Sequence, residues 1–145
     1  MAGRSNHFRR ILKADAGASA VEFAMLLPLF MAILFAIVMF GSYLAMVNGV
    51  QQLAAEAARS SVPGLNDSER NTLARAYVST NASAYPLISP DRLTVTAARS
   101  GSGGNVVVVT VSYDASGSFI YTLPAFVPRP PSSIVRSAAI RFGGF

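Results

Sequence analysis

Between Glu22 and Glu56 this chain carries no charged side chain, and residues 23–47 of that stretch are apolar almost throughout, interrupted only by Pro28, Gly41, Ser42 and Tyr43. As a helix rising 1.5 Å per residue, that segment is roughly 37 Å long, against a bilayer hydrocarbon core of about 30 Å. The stretch therefore predicts a single transmembrane helix. With 145 residues in all, the chain has room for one further small domain.

The formal net charge of +5 invites a nucleic-acid reading until it is divided along the chain. Arg4, Arg9, Arg10 and Lys13 face only Asp15 in residues 1–17, so a short basic leader ahead of the apolar run holds +3, as much as the whole of residues 48–145. Beyond residue 47 the chain is only mildly basic, and nucleic acid is not an expected partner. The same asymmetry orients the span. Basic residues gather on the cytoplasmic side of membrane helices, which puts the N-terminus in the cytoplasm and residues 48–145 on the other side.

The chain has no cysteine, and its one histidine, His7, lies in the leader. Beyond the leader this excludes Ser/His and Cys/His catalytic pairs, disulfides and thiolate metal sites. The acids there, Glu56, Asp67, Glu69, Asp91 and Asp114, show no metal-ligand spacing. No enzymatic activity, metal or cofactor is expected.

The helical pattern continues past the span. Residues 48–61 are rich in alanine and glutamine, with Glu56 and Arg59 spaced to pair and Leu53, Ala54, Ala57 and Ala58 forming a small-residue stripe. Pro63-Gly64 ends this helix. Asn66 with Glu69 three residues on matches a capping box for a second helix, whose apolar face is Leu73, Ala74, Tyr77 and Val78. From Leu93 the period becomes two, and after a Gly/Ser-rich turn residues 106–113 read as the strongest strand, a hairpin partner for the first. Because Val106 to Val109 are consecutive valines, both faces of that strand are expected to be covered, one by the helices. Residues 134–142 supply a third strand, and the proline-rich residues 119–131 an irregular connection. Phe119, Tyr121 and Phe126 either pack onto the sheet or form a partner surface. The fold class is membrane-anchored α+β: a long N-terminal helix, a second helix and a small antiparallel sheet of about three strands. The chain divides into a leader (1–17), a helix with its extension (18–61) and an external domain (62–145).

The junction of leader and span reads Gly17-Ala18-Ser19-Ala20-Val21-Glu22-Phe23. A secretory signal would carry a shorter apolar core with a cleavage site after it, so the small residues before the run point instead to a cut on its N-terminal side that leaves the helix in the mature chain. Glycine at the scissile position admits backbone to a protease cleft without a side chain. Glu22 is a carboxylate at the mouth of a membrane helix, with two readings. A positive group on a neighbouring subunit pairs with it, or it rests at the interface where the helix dipole favours an anion. Pro28 removes one helical hydrogen bond and predicts a kink, either passive or an aid to extraction from the bilayer.

Through this junction, through Leu26-Leu27-Pro28-Leu29 and through Gln51-Gln52 to Arg59, the chain resembles the type IV prepilins and, within them, the TadE-like minor pseudopilins of bacterial tight-adherence (Tad/Flp) pili. The resemblance covers residues 16–61 well and the remainder only in layout. It implies cleavage between Gly17 and Ala18 by a prepilin peptidase, with Glu22 and Phe23 serving assembly. It also implies other pilins or pseudopilins and inner-membrane assembly proteins as partners, and a role in pilus biogenesis and surface adherence. The location implied is the inner membrane, single-pass, with the C-terminal domain periplasmic or extracellular, in association with the pilus. Ala18 departs from the main prepilin group, which carries phenylalanine there. The alternative is an uncleaved membrane anchor that displays its α+β domain to another envelope or secretion component.

Overall fold

The computed structural model describes residues 5–100 and 105–141, with side chains from residue 17 onward. Arg4 and the turn at residues 101–104 lie outside the described residues, as do the side chains of Arg9, Arg10 and Lys13. The first helix, α1 (Ser5–Ser61), runs unbroken for 57 residues. At 1.5 Å per residue it is about 86 Å long. It includes both the span and its extension, and it also reaches back through the leader, whose alanines, leucine and lysine are good helix formers. Glu56 and Arg59 pair as their spacing predicts, at 2.8 Å.

The chain leaves α1 through a turn in which the Gly64 N–H donates to the Ser61 carbonyl at 3.1 Å. Asn66 then caps α2 (Asp67–Asn81): its Oδ1 accepts the Glu69 N–H at 2.9 Å. The return arm of the box goes one residue further out, from the Leu65 N–H to Glu69 Oε2 at 2.8 Å. Ala74 and Val78 are buried and Leu73 and Tyr77 half-buried, so the predicted face is the one that packs. Gly64 is required by this turn. A Cβ there would lie 2.6 Å from Arg70 Cγ and 2.9 Å from the Arg70 backbone nitrogen. Because the obstacle includes backbone, Gly64→Ala is expected to destabilise the domain by about 1–3 kcal/mol, read as a lowered thermal midpoint.

Three strands, β1 (Leu93–Ser100), β2 (Val106–Asp114) and β3 (Ser133–Arg141), form one antiparallel sheet in sequence order. Val95 stands opposite Val111, and Val109 opposite Ala138, so one face collects the apolar side of all three strands. That face is covered by α1 over β2 and β3 and by α2 over β1. The core cluster joins Met46, Val50, Leu53, Ala54, Ala57 and Ala58 of α1 to Val107, Val109, Val111 and Tyr113 of β2. The small residues of α1 let the sheet approach closely. Gly49 does the same for the segment after α2, where an added Cβ would sit 2.8 Å from Ile88 Cδ1.

Two expectations need correction. The second face of β2 is not covered: Val106, Val108, Thr110 and Ser112 are only half-buried, and Thr94, Thr96, Ala98, Val135, Ser137 and Ala139 on the flanking strands are exposed. Side-by-side neighbours shield the valines in part, and the rest of the face is small or hydroxylated, as at the 2.8 Å hydrogen bond between Thr110 and Ser137. Nor do Phe119, Tyr121 and Phe126 pack on that face. Their segment, which includes a short 3-10 turn at Phe119–Thr122, folds past the end of the sheet onto α1. It leaves β2 at Asp114, whose Oδ1 accepts the Ser116 N–H at 2.9 Å. That backbone hydrogen bond holds the Asp114 carboxyl below its ordinary range.

Candidate processing and assembly site

The junction residues Gly17 to Phe23 lie within α1, and every residue from 17 to 30 is exposed. A Cβ added at Gly17 would meet nothing within 4 Å. No packing within the chain therefore demands glycine here, and its use is to be sought in backbone freedom. Glycine in a helix costs about 1 kcal/mol relative to alanine. Gly17 thus weakens α1 locally, and a protease needs extended backbone.

Ala18 and Glu22 are four residues apart, on one face of α1 with an axial offset of about 6 Å. Glu22 is exposed and has no ion-pair or hydrogen-bond partner among the described residues. Carried to the centre of a bilayer, such a carboxylate costs on the order of 2.5–3.5 kcal/mol on insertion scales. No described residue offsets that cost, whereas at the membrane interface the carboxylate would not incur it. Phe23 is exposed beside Glu22, with Met25, Leu26 and Leu29 further along the helix.

Pro28 lies inside α1 without ending it. Its missing N–H leaves the Ala24 carbonyl without its usual helical donor, in a region where no other part of the chain packs. Gly41 and Ala45 are exposed and take no part in packing within the chain. Among the described residues, no three or more His, Cys, Asp or Glu side chains gather as a metal site would require.

Sequence reasoning missed how far the domain reaches along α1. Met39 is fully buried, and the Phe35 and Phe126 rings stand 6.2 Å apart. The domain therefore begins well inside the segment read as membrane-spanning. Even so, only 6% of the most apolar window of Gly17–Ser61 is buried, which separates it from the core helix of a soluble protein.

No curated protein and no solved structure matches the chain. Residues 17–59, from the junction glycine to the end of the small-residue stripe in the long apolar helix, match the family described as TadE-like protein.

Proposed function

We propose that this chain is a minor pseudopilin of a Tad/Flp pilus, cleaved between Gly17 and Ala18 by a prepilin peptidase and acting in pilus assembly and so in surface adherence. The observation that carries this reading is the TadE-like match, which starts at Gly17 itself. Further support comes from the unpartnered Glu22, four residues beyond the amine that cleavage would create. The leader stays in the cytoplasm and the sheet domain lies across the membrane, as the basic residues of the leader dictate. Partners in this reading are the peptidase, other pilins or pseudopilins and inner-membrane assembly proteins. The large external domain suits a minor component better than a major pilin with a short tail.

The unbroken course of α1 through Gly17 and Ala18 favours a second reading, an uncleaved anchor displaying its domain to another envelope component. Intact-mass measurement on protein from membranes and from sheared pili separates the two. The pseudopilin reading expects a chain beginning at Ala18 in both fractions, and a chain retaining its leader in both defeats it. Gly17→Ala is expected to slow processing by about five-fold or more, because about 1 kcal/mol of added helix stability lowers the unwound population by that factor.

A further inference from the structure

We propose that residues 119–127 form a membrane-interface element that inserts Phe119 and Phe126 into the domain-side leaflet, so that lipid rather than water covers them. The inference rests on α1 spanning a bilayer.

Phe126 is 60% exposed and Phe119 46%, at the end of the domain that lies against the span. The Phe126 ring meets Phe35 of α1. On the other side of α1, Ile37, about 3 Å further along the axis than Phe35, is 66% exposed, and Leu44, about 14 Å further along, is 57% exposed. A bilayer that covers Ile37 and Leu44 necessarily reaches the level of Phe126. The length of the span gives the same answer. With Glu22 at one edge of the hydrocarbon, about 30 Å of helix ends near residue 42, next to Tyr43, whose ring type favours the membrane–water boundary. Phe35 and the ring packed on it then lie about 10 Å inside the domain-side edge, within the depth reached by interfacial elements. Raising the domain clear of the lipid would draw Glu22 into the hydrocarbon by a similar distance.

The composition of the segment suits that position. From Ala115 to Pro128 there is no charged residue. Pro124, Pro128, Pro130 and Pro131 have no N–H to leave unsatisfied in an apolar medium. Several remaining polar groups bond within the segment. Thr122 Oγ1 donates to the Phe119 carbonyl at 2.6 Å, the Val127 N–H to the Pro124 carbonyl at 3.4 Å, and the Tyr121 hydroxyl to the Pro131 carbonyl at 2.7 Å. Arg129 comes just after the apolar stretch and holds the Leu123 carbonyl at 3.3 Å, a place from which a guanidinium also reaches headgroups.

The chain contains no tryptophan, so single reporters can be read without background. Full-length F126W and F119W in phosphatidylcholine/phosphatidylglycerol vesicles are expected to emit to the blue and to lose about half their intensity to lipids brominated near the headgroup end of the chains. V135W, on the open face of the sheet, is expected to be unaffected, and I33W, exposed near the middle of the span, to be quenched by lipids brominated near the chain ends. I33W tests insertion itself. If it is not quenched, the membrane-spanning reading fails and takes this proposal with it. If I33W is quenched while both F126W and F119W emit as water-exposed, the proposal alone is overturned. Shielding of F126W and F119W that appears only when other pilus subunits are added overturns it equally, because the segment would then be a protein contact.

Discussion

Glu22→Ala is expected to yield a protein that is cleaved and inserted normally yet depleted at least a hundred-fold from sheared pili. Two effects of opposite sign make this diagnostic. Removing a carboxylate from the mouth of the span eases membrane insertion, by up to about 2.5–3.5 kcal/mol if the group sits deep. Removing it from an assembled complex leaves a neighbour's Ala18 ammonium without its counter-charge in a poor solvent, and breaking a buried pair from one side costs about 3–5 kcal/mol. At about 1.4 kcal/mol per factor of ten, the second effect alone lowers incorporation by a hundred-fold or more. Glu22→Gln keeps the volume and a hydrogen-bonding oxygen but loses the charge, so it should fall between the two. If Glu22 only rests in the interface, its interaction with the helix terminus is worth about 0.3–1 kcal/mol. Both variants would then enter pili at near wild-type levels, and the pairing role would be abandoned.

How much of this was legible in the sequence depended on whether a residue's role was set by its neighbours along the chain. The α2 cap could be read because Asn66 and Glu69 act within one helical turn. β1 could be read because Leu93, Val95 and Ala97 alternate with polar or small residues, and the Glu56–Arg59 pair could be read from spacing alone. The docking of the domain on α1 could not. In residues 23–47 the side facing lipid and the side facing protein are equally apolar, so Met39, fully buried, and Ile37, exposed, look alike in sequence. The four valines opening β2 misled for a related reason. A continuous apolar run signals two-sided burial, yet here the flanking strands shield one side only in part. At the candidate site, the spacing from Gly17 to Glu22 was visible, whereas the helix running back through the leader was not, because the charged residues there hid a good helix-forming composition.

A fragment of residues 62–145 is expected not to fold, whereas a fragment of residues 46–145 should retain the native sheet. The second half of α1 is not a stalk beneath a self-sufficient domain but one wall of its core. Val50 and Leu53 are completely buried, and Ala54, Ala57 and Ala58 nearly or completely so. Burial of a Val or Leu side chain contributes about 1.5–3 kcal/mol and each methyl about 0.8 kcal/mol, so deleting residues 46–61 forfeits roughly 5–8 kcal/mol. That is as large as the whole stability of many small domains. The deletion also uncovers Val107, Val109 and Val111 on the inner face of β2, with only α2 left to cover them. Far-ultraviolet circular dichroism and amide proton dispersion report the outcome, and a cooperative thermal transition in the 62–145 fragment would show the account of the core to be wrong. A peptide of residues 46–61 added in trans should restore part of the signal, since it returns the buried stripe and lacks only the covalent link. If it does, residues 46–61 belong to the fold of the domain rather than to its tether, because the surface they restore is the one that Val107, Val109 and Val111 pack against.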